Sequence, residues 1–168
     1  MRILGIDPGT HFTGIGVIEV SGNACRMISC ETVAVPGKLS LPEKLDRIYR
    51  AILSAIREHN PDQMALEGFL FGKDIRAVVR MGEARACAML AAVQAGIGIF
   101  EYTPTRIKQA VTGNGRASKE QIQHMVKVLL GLKAAPQGDG ADALAVAICH
   151  GHEHRRTEML GRKVLSPV

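Results

Sequence analysis

The 168-residue chain is 46% hydrophobic, 22% charged and only 4% aromatic, the composition of an ordinary soluble globular protein and enough residues for one domain with a real core. Its 18 glycines and 7 prolines are scattered, which excludes a collagen-like or low-complexity chain, and no apolar run approaches the length of a membrane span. Twenty-one Lys+Arg against 16 Asp+Glu leave a net charge of +5, an excess that points to a polyanionic partner, nucleic acid first.

The elements follow in chain order. Arg2 to Ile6 reads as a buried strand that ends at the turn signal Asp7-Pro8-Gly9, and Met1 to Asp7 is too short and too soon acidic for a signal peptide, so a cytoplasmic location is expected. Thr13 to Val20 and Ala24 to Val35 are strands joined by a short turn, giving an antiparallel meander. Ser40-Leu41-Pro42-Glu43 is a capping box with proline in the first turn, and Leu45, Ile48, Ile52, Leu53 and Ile56 continue it as a helix to about Asn60. A short strand over Gln63 to Glu67, an alanine-rich helix over Asp74 to Gly96 and a fifth strand over Ile97 to Tyr102 come next. Thr103-Pro104 opens a helix, Ser118-Lys119-Glu120-Gln121 is a second capping box, and Asp139 starts the last helix. Apolar periodicity stops at Gly151. The expectation is therefore an α/β domain over residues 1–150, a five-stranded mixed sheet flanked by helices, and a basic, poorly ordered tail over 151–168.

Chemistry rests on four acids. Asp7 and Glu67 each close a strand, at the edge where open α/β sheets present ligands. Asp139 and Asp142 are three apart in the first turn of a helix, so their carboxylates share one face near the positive end of the helix dipole. Four acids from three segments could converge, and hard divalent cations with oxygen ligands are the usual compensation for such a cluster; Mg²⁺ is expected, two ions about 4 Å apart clamping a phosphodiester and activating water. Taken singly, each acid also has a plainer reading: Asp7 as the start of a turn, Asp139 as a helix cap, Asp142 as a first-turn acid and Glu67 as a loop charge. With the four set aside, the basic excess of the remaining chain is larger still, an acidic centre on a cationic surface.

The stretches Met1-Arg2-Ile3-Leu4-Gly5-Ile6-Asp7-Pro8-Gly9, the strand end at Glu67, Arg106-Ile107-Lys108-Gln109-Ala110-Val111-Thr112-Gly113 with Lys119 and Gln123-His124-Met125-Val126 after it, and Asp139-Gly140-Ala141-Asp142-Ala143-Leu144-Ala145 closely resemble the RuvC family of bacterial Holliday junction resolvases. The resemblance runs in order from the first residue to about His150. It implies a ribonuclease H-like fold, a homodimer, and a Mg²⁺-dependent endonuclease (Mn²⁺ an expected substitute) that nicks two opposite strands of a four-way DNA junction in homologous recombination and DNA repair. By the same resemblance Asp7, Glu67, Asp139 and Asp142 take the four catalytic metal positions. Lys108 and Lys119 fall on basic positions near the DNA backbone, with Lys119 the candidate for the scissile phosphate. It further implies action with the RuvA and RuvB branch-migration proteins and preference for a short thymine-containing cutting sequence. One departure stands out: the family commonly has an aromatic residue three positions after the catalytic glutamate, where this chain has Leu70 between Phe69 and Phe71, so the wedge on DNA bases is either shifted to Phe69 or Phe71 or absent.

Other features are weighed down. Cys149-His150-Gly151-His152-Glu153-His154 looks metal-binding, but it lacks a second ligand pair at zinc-site spacing, and the histidines are expected in the tail. The four cysteines, Cys25, Cys30, Cys87 and Cys149, are spaced like reduced core thiols. His11 is expected in a loop, and His124 at solvent or DNA. The apolar stripe of the long helix is mainly core, with one line of it a candidate dimer face, and Arg76, Arg80 and Arg85 are candidate phosphate contacts or a solvated face. Two other functions compete. Gly5 to Thr10 also resembles the first phosphate loop of actin-like ATPases, which need two such lobes, whereas this chain holds one. A non-enzymatic junction-binding module would explain the basic charge but not the four acids.

Overall fold

The computed structural model describes residues 1–68 and 75–161. β1 (Arg2–Asp7) pairs antiparallel with β2 (Phe12–Ser21), and β2 antiparallel with β3 (Ala24–Ala34). On its other edge β1 pairs in parallel with β4 (Gln63–Glu67), and β4 in parallel with β5 (Gly98–Tyr102), giving the order β3-β2-β1-β4-β5. α1 (Leu41–His59) and α2 (Ile75–Ala95) supply the crossovers that parallel strands require. α3 (Pro104–Thr112), α4 (Lys119–Leu129) and α5 (Gly138–Met159) follow β5. The mixed sheet flanked by helices is the α/β, ribonuclease H-like architecture expected.

Strand alternation divides the core into two layers. Leu4, Ile6, Ile15, Val17 and Leu66 point to one face, where Ile48 and Ile52 of α1 and Ala84 and Ala88 of α2 cover them. Ile3, Ile18, Ala65 and Phe100 point to the other, under Leu144 and Ile148 of α5, Ile107 of α3 and Ile122 of α4.

The α5 layer depends on missing side chains. Register places Asp7 opposite Gly14 and Gly5 opposite Gly16, so Gly5, Gly14 and Gly16 line one trough on the sheet. Added β-carbons would lie 2.1 Å from the Ala143 carbonyl oxygen at Gly5 and 2.7 Å from the Leu144 nitrogen at Gly16. α5 therefore rests on bare backbone, which sets its first turn beside the end of β1. The N–H of Gly140 is capped from across the fold by Thr32 Oγ1 of β3 at 3.0 Å.

Two expectations are corrected. The last helix does not stop near 150: α5 runs to Met159, with His150 and Gly151 buried. Its later turns are held by polar contacts that leave no apolar rhythm. Glu153 pairs with Arg106, and the Arg155 guanidinium donates to the carbonyls of Gly151 and Gly22, each at 3.4 Å. His150 is accordingly no tail residue. Its Nε2 hydrogen-bonds Gln63 Oε1 at 2.6 Å, its Nδ1 accepts from the Tyr102 hydroxyl at 2.7 Å, and its ring stacks on Phe100. Residues 162–168 lie outside the described ones.

Candidate active site

Four acids meet where β1, β4 and α5 end or begin. Asp7 is the last residue of β1, Glu67 the last of β4, and Asp139 and Asp142 sit one turn apart at the start of α5. The turn after Asp7 is closed by Thr13, whose hydroxyl donates to the Gly9 carbonyl at 2.7 Å. Oxygens of Asp7, Asp139 and Asp142 all lie within 4.8 Å of one another. Glu67 lines the same cleft as Asp7, close enough that the two carboxyls perturb one another.

The electrostatics follow. Burial, the neighbouring charge and close approach of Glu67, and then Asp142 and Asp139 push the Asp7 carboxyl up to about 9. Burial, and to a lesser degree Asp142, likewise raise Glu67, partly opposed by its close approach to Asp7 and by the nearby Lys108 and Lys119. Lys119, first residue of α4 behind the Ser118 cap, places Nζ 2.8 Å from Asp142 Oδ2, and that contact raises the ammonium above its ordinary value. Asp7, Glu67, Asp142, Lys108 and Lys119 together line a cleft of about 240 Å³ whose other wall is Ile107, Ile122 and Val146. The structure thus gathers the acids and both lysines in one place.

The donor set fits a hard divalent cation. It is all oxygen, it comes from strand and helix ends, and the crowding of its carboxylates raises the Asp7 carboxyl, a cost that a cation's charge relieves.

The remaining candidates fall elsewhere. Arg76 and Arg80 are exposed on the first turns of α2 and line a separate cleft of about 480 Å³ with Thr10, His11 and Lys44. Phe69 and Phe71 lie outside the described residues. Arg85 is no surface phosphate contact: it is buried, its guanidinium donating to the Glu67 carbonyl and to Glu101. Sequence reasoning missed it and His150. For Arg85 the available signal was its place on the same helical stripe as Ala84 and Ala88, where a solvated arginine does not belong.

A ribonuclease H-like sheet with clustered carboxylates at the ends of its central parallel strands, in a cationic chain, defines the class: a metal-dependent nuclease. The family model described as "Crossover junction endodeoxyribonuclease RuvC" matches residues 3–150, and the chain belongs to that family. The protein of that name from Halothermothrix orenii is 44% identical over 164 residues, 97% of this chain and 99% of its own length. The one from Alkaliphilus oremlandii is 46% identical over 160 residues, covering 95% and 98%. The structure described as Thermus thermophilus RuvC in complex with Holliday junction substrate superposes with a TM-score of 0.88 at 32% identity, covering 100% of this chain and 99% of that one.

Proposed function

We propose that this chain is an endodeoxyribonuclease that resolves four-way DNA junctions in homologous recombination and repair, nicking two opposite strands symmetrically. The observation that carries the reading is the mutual approach of Asp7, Asp139 and Asp142 to within 4.8 Å, in a member of this family, with Glu67 on the same cleft as Asp7 and Asp142.

Asp7, Glu67, Asp139 and Asp142 are the proposed ligands of two Mg²⁺ ions, with Mn²⁺ a substitute. Such ions, when bound, supply Lewis-acid polarisation of the phosphodiester and a water nucleophile at neutral pH. The residues contribute the rest. Burial and the neighbouring charges favour the protonated forms of Asp7 and Glu67, so cation uptake is favoured by rising pH. Lys119 is held beside the acids by Asp142, where its ammonium offsets charge developing on the scissile phosphate. Lys108, on the same cleft, binds the DNA backbone, and Arg76 and Arg80 bind phosphates from the neighbouring cleft beside Thr10 and His11. Phe69 and Phe71 are the proposed base-stacking residues.

A junction offers two equivalent strands, so two sites related by a two-fold axis suit the reaction, and the apolar outer stripe of α2 is the proposed homodimer face. Action with RuvA and RuvB and a cytoplasmic location belong to the same reading; no helix among the described residues is long and apolar enough to cross a membrane.

Cleavage of a synthetic four-way junction in Mg²⁺, in Ca²⁺ and in excess chelator tests the proposal. Paired symmetric nicks in Mg²⁺ with binding but no cutting in chelator are expected. Cutting in chelator would overturn the metal mechanism, and binding without cutting in Mg²⁺ or Mn²⁺ would leave a junction-binding module.

A further inference from the structure

Glu67 is held from two sides of the sheet. Its side chain points to the α5 face, as Ala65 does two residues earlier, and there it lines the acidic cleft. Its main chain is gripped from the α2 face. Arg85 Nη1 donates to the Glu67 carbonyl at 3.1 Å, and Nη2 donates to Glu101 Oε1 at 2.5 Å. Glu101 sits on β5 beside Leu66, one residue before the register partner of Glu67. The N–H of Gly68 is fixed in turn to the Tyr102 carbonyl at 2.9 Å.

The Arg85 side chain is 8% exposed, yet it occupies the stripe on which α2 otherwise presents alanines to the sheet. A buried ion pair is a poor way to gain stability, because apolar residues of similar volume often serve as well. A guanidinium does something an apolar group does not: its planar fork spans two acceptors at fixed angles. Here one acceptor is a carboxylate on β5 and the other is the backbone of the acid that ends β4.

We infer that Arg85, braced by Glu101, is a positioning residue that fixes the end of β4 so that the Glu67 carboxylate meets Asp7 and the bound cation. This role rests on Glu67 being a metal ligand. Arg85 is not among the residues that line the acidic cleft; it acts through the main chain of Glu67, as groups behind metal ligands orient them elsewhere.

The test uses the full chain and Mn²⁺ alone as the probe, with calorimetric Mn²⁺ binding, thermal melting and chelator-phase junction binding measured on each variant. Arg85→Lys keeps the charge but cannot span both acceptors, and Arg85→Met with Glu101→Met removes both charges at similar volume. Both are expected to fold and to bind junction as the wild type does, while Mn²⁺ affinity falls roughly 10–100-fold and cleavage needs correspondingly more Mn²⁺. Wild-type Mn²⁺ affinity in either folded variant would overturn the role of Arg85 while leaving the acidic site intact. Failure of the double variant to fold, with wild-type Mn²⁺ affinity in Arg85→Lys, would make the pair a stability element and overturn it equally. If the wild-type chain itself binds no Mn²⁺, the acidic site fails and Arg85 with it.

Discussion

A β-carbon on Gly14 would lie 1.9 Å from the carbonyl oxygen of Asp139, so the strand residue paired opposite Asp7 is also the one against which the helix bearing two of the acids rests. Gly14→Ala must push the start of α5 off the sheet and pull Asp139 and Asp142 away from Asp7. The expected cost is about 3 kcal/mol in urea unfolding, with Mn²⁺ affinity down roughly tenfold or more in the folded fraction. Gly37→Ala, which meets nothing within 4 Å, is the matched control and leaves both unchanged. Wild-type stability and affinity in Gly14→Ala would show that α5 does not need this trough.

Much of this was legible because it is local. The capping boxes form as written, Ser40 N–H donating to Glu43 at 2.7 Å and Ser118 N–H to Gln121 at 2.9 Å, and the acids were marked by standing at strand ends and one turn apart. The partners of Arg85 and His150 are not legible because they are distant in sequence: Glu67, Glu101, Tyr102 and Gln63 lie on strands whose pairing no local pattern records. The end of α5 was misplaced for a related reason. Periodicity reports an apolar stripe, and beyond His150 the helix is fastened by Arg155 and Glu153 instead.

Asp7→Asn should abolish cleavage and yet stabilise the metal-free protein. The Asp7 carboxyl is pushed up to about 9 in the fold, so between its unfolded value near 4 and that point the folded state holds a proton the unfolded state has released. Stability of the metal-free wild type therefore falls as pH rises through this window, and added Mn²⁺ raises the melting temperature more at pH 8 than at pH 6. The asparagine variant should melt several degrees higher in chelator at pH 8, roughly 2–4 °C for each kcal/mol of relieved repulsion, and lose the pH dependence of the Mn²⁺ effect. Scanning calorimetry at the two pH values decides it; an unchanged or lower melting temperature would mean the cluster is not strained by charge.

Lys119 and Lys108 share a cleft but should separate kinetically. Lys119 contacts Asp142, so Lys119→Ala should lower the single-turnover cutting rate roughly 100-fold with little loss of junction binding, and Lys119→Arg should recover part of the rate. Lys108→Ala should weaken binding and reduce the slope of log affinity against log salt by about 1. Equal losses of rate and affinity in Lys119→Ala would assign that lysine to backbone contact instead.

His150 gives the fold an acid limit that the active site does not share. Burial first, then the nearby His154, lower its pKa from 6.5 to about 4, while Gln63 Oε1, which can only accept, fixes the proton on Nε2. A histidine depressed in the fold binds its second proton only in the unfolded state, so stability is complete above the unfolded value and is lost as pH falls toward the folded one. Between pH 7 and pH 5 the wild type should lose about 2 kcal/mol by this route. Urea midpoints for His150→Gln over that interval should show a correspondingly shallower decline, and parallel declines would remove His150 as the cause.

The outer stripe of α2 carries the remaining expectation. Ile75, Val79, Leu90 and Val93 recur at helical spacing and are 76%, 53%, 52% and 67% exposed, an apolar line that an isolated chain leaves in water. Beside it Leu45 and Tyr49 of α1 form a shallow cleft of about 390 Å³ with Ala86 and Leu90, so the apolar surface is broader than one helix. A two-fold contact there would bury the same stripe on both copies and set two acidic clefts in one particle, which paired nicks require. Light scattering should therefore give twice the 18.1 kDa chain mass at cutting concentrations. Leu90→Glu with Val93→Glu places four like charges in such a contact and should give a folded protein of single-chain mass that still binds Mn²⁺. Its nicks on a four-way junction should come singly, because nothing then couples the second strand to the first. A wild-type chain that cuts in symmetric pairs while scattering as a monomer, or a double variant that stays dimeric, would place the two-fold contact away from α2 or remove it.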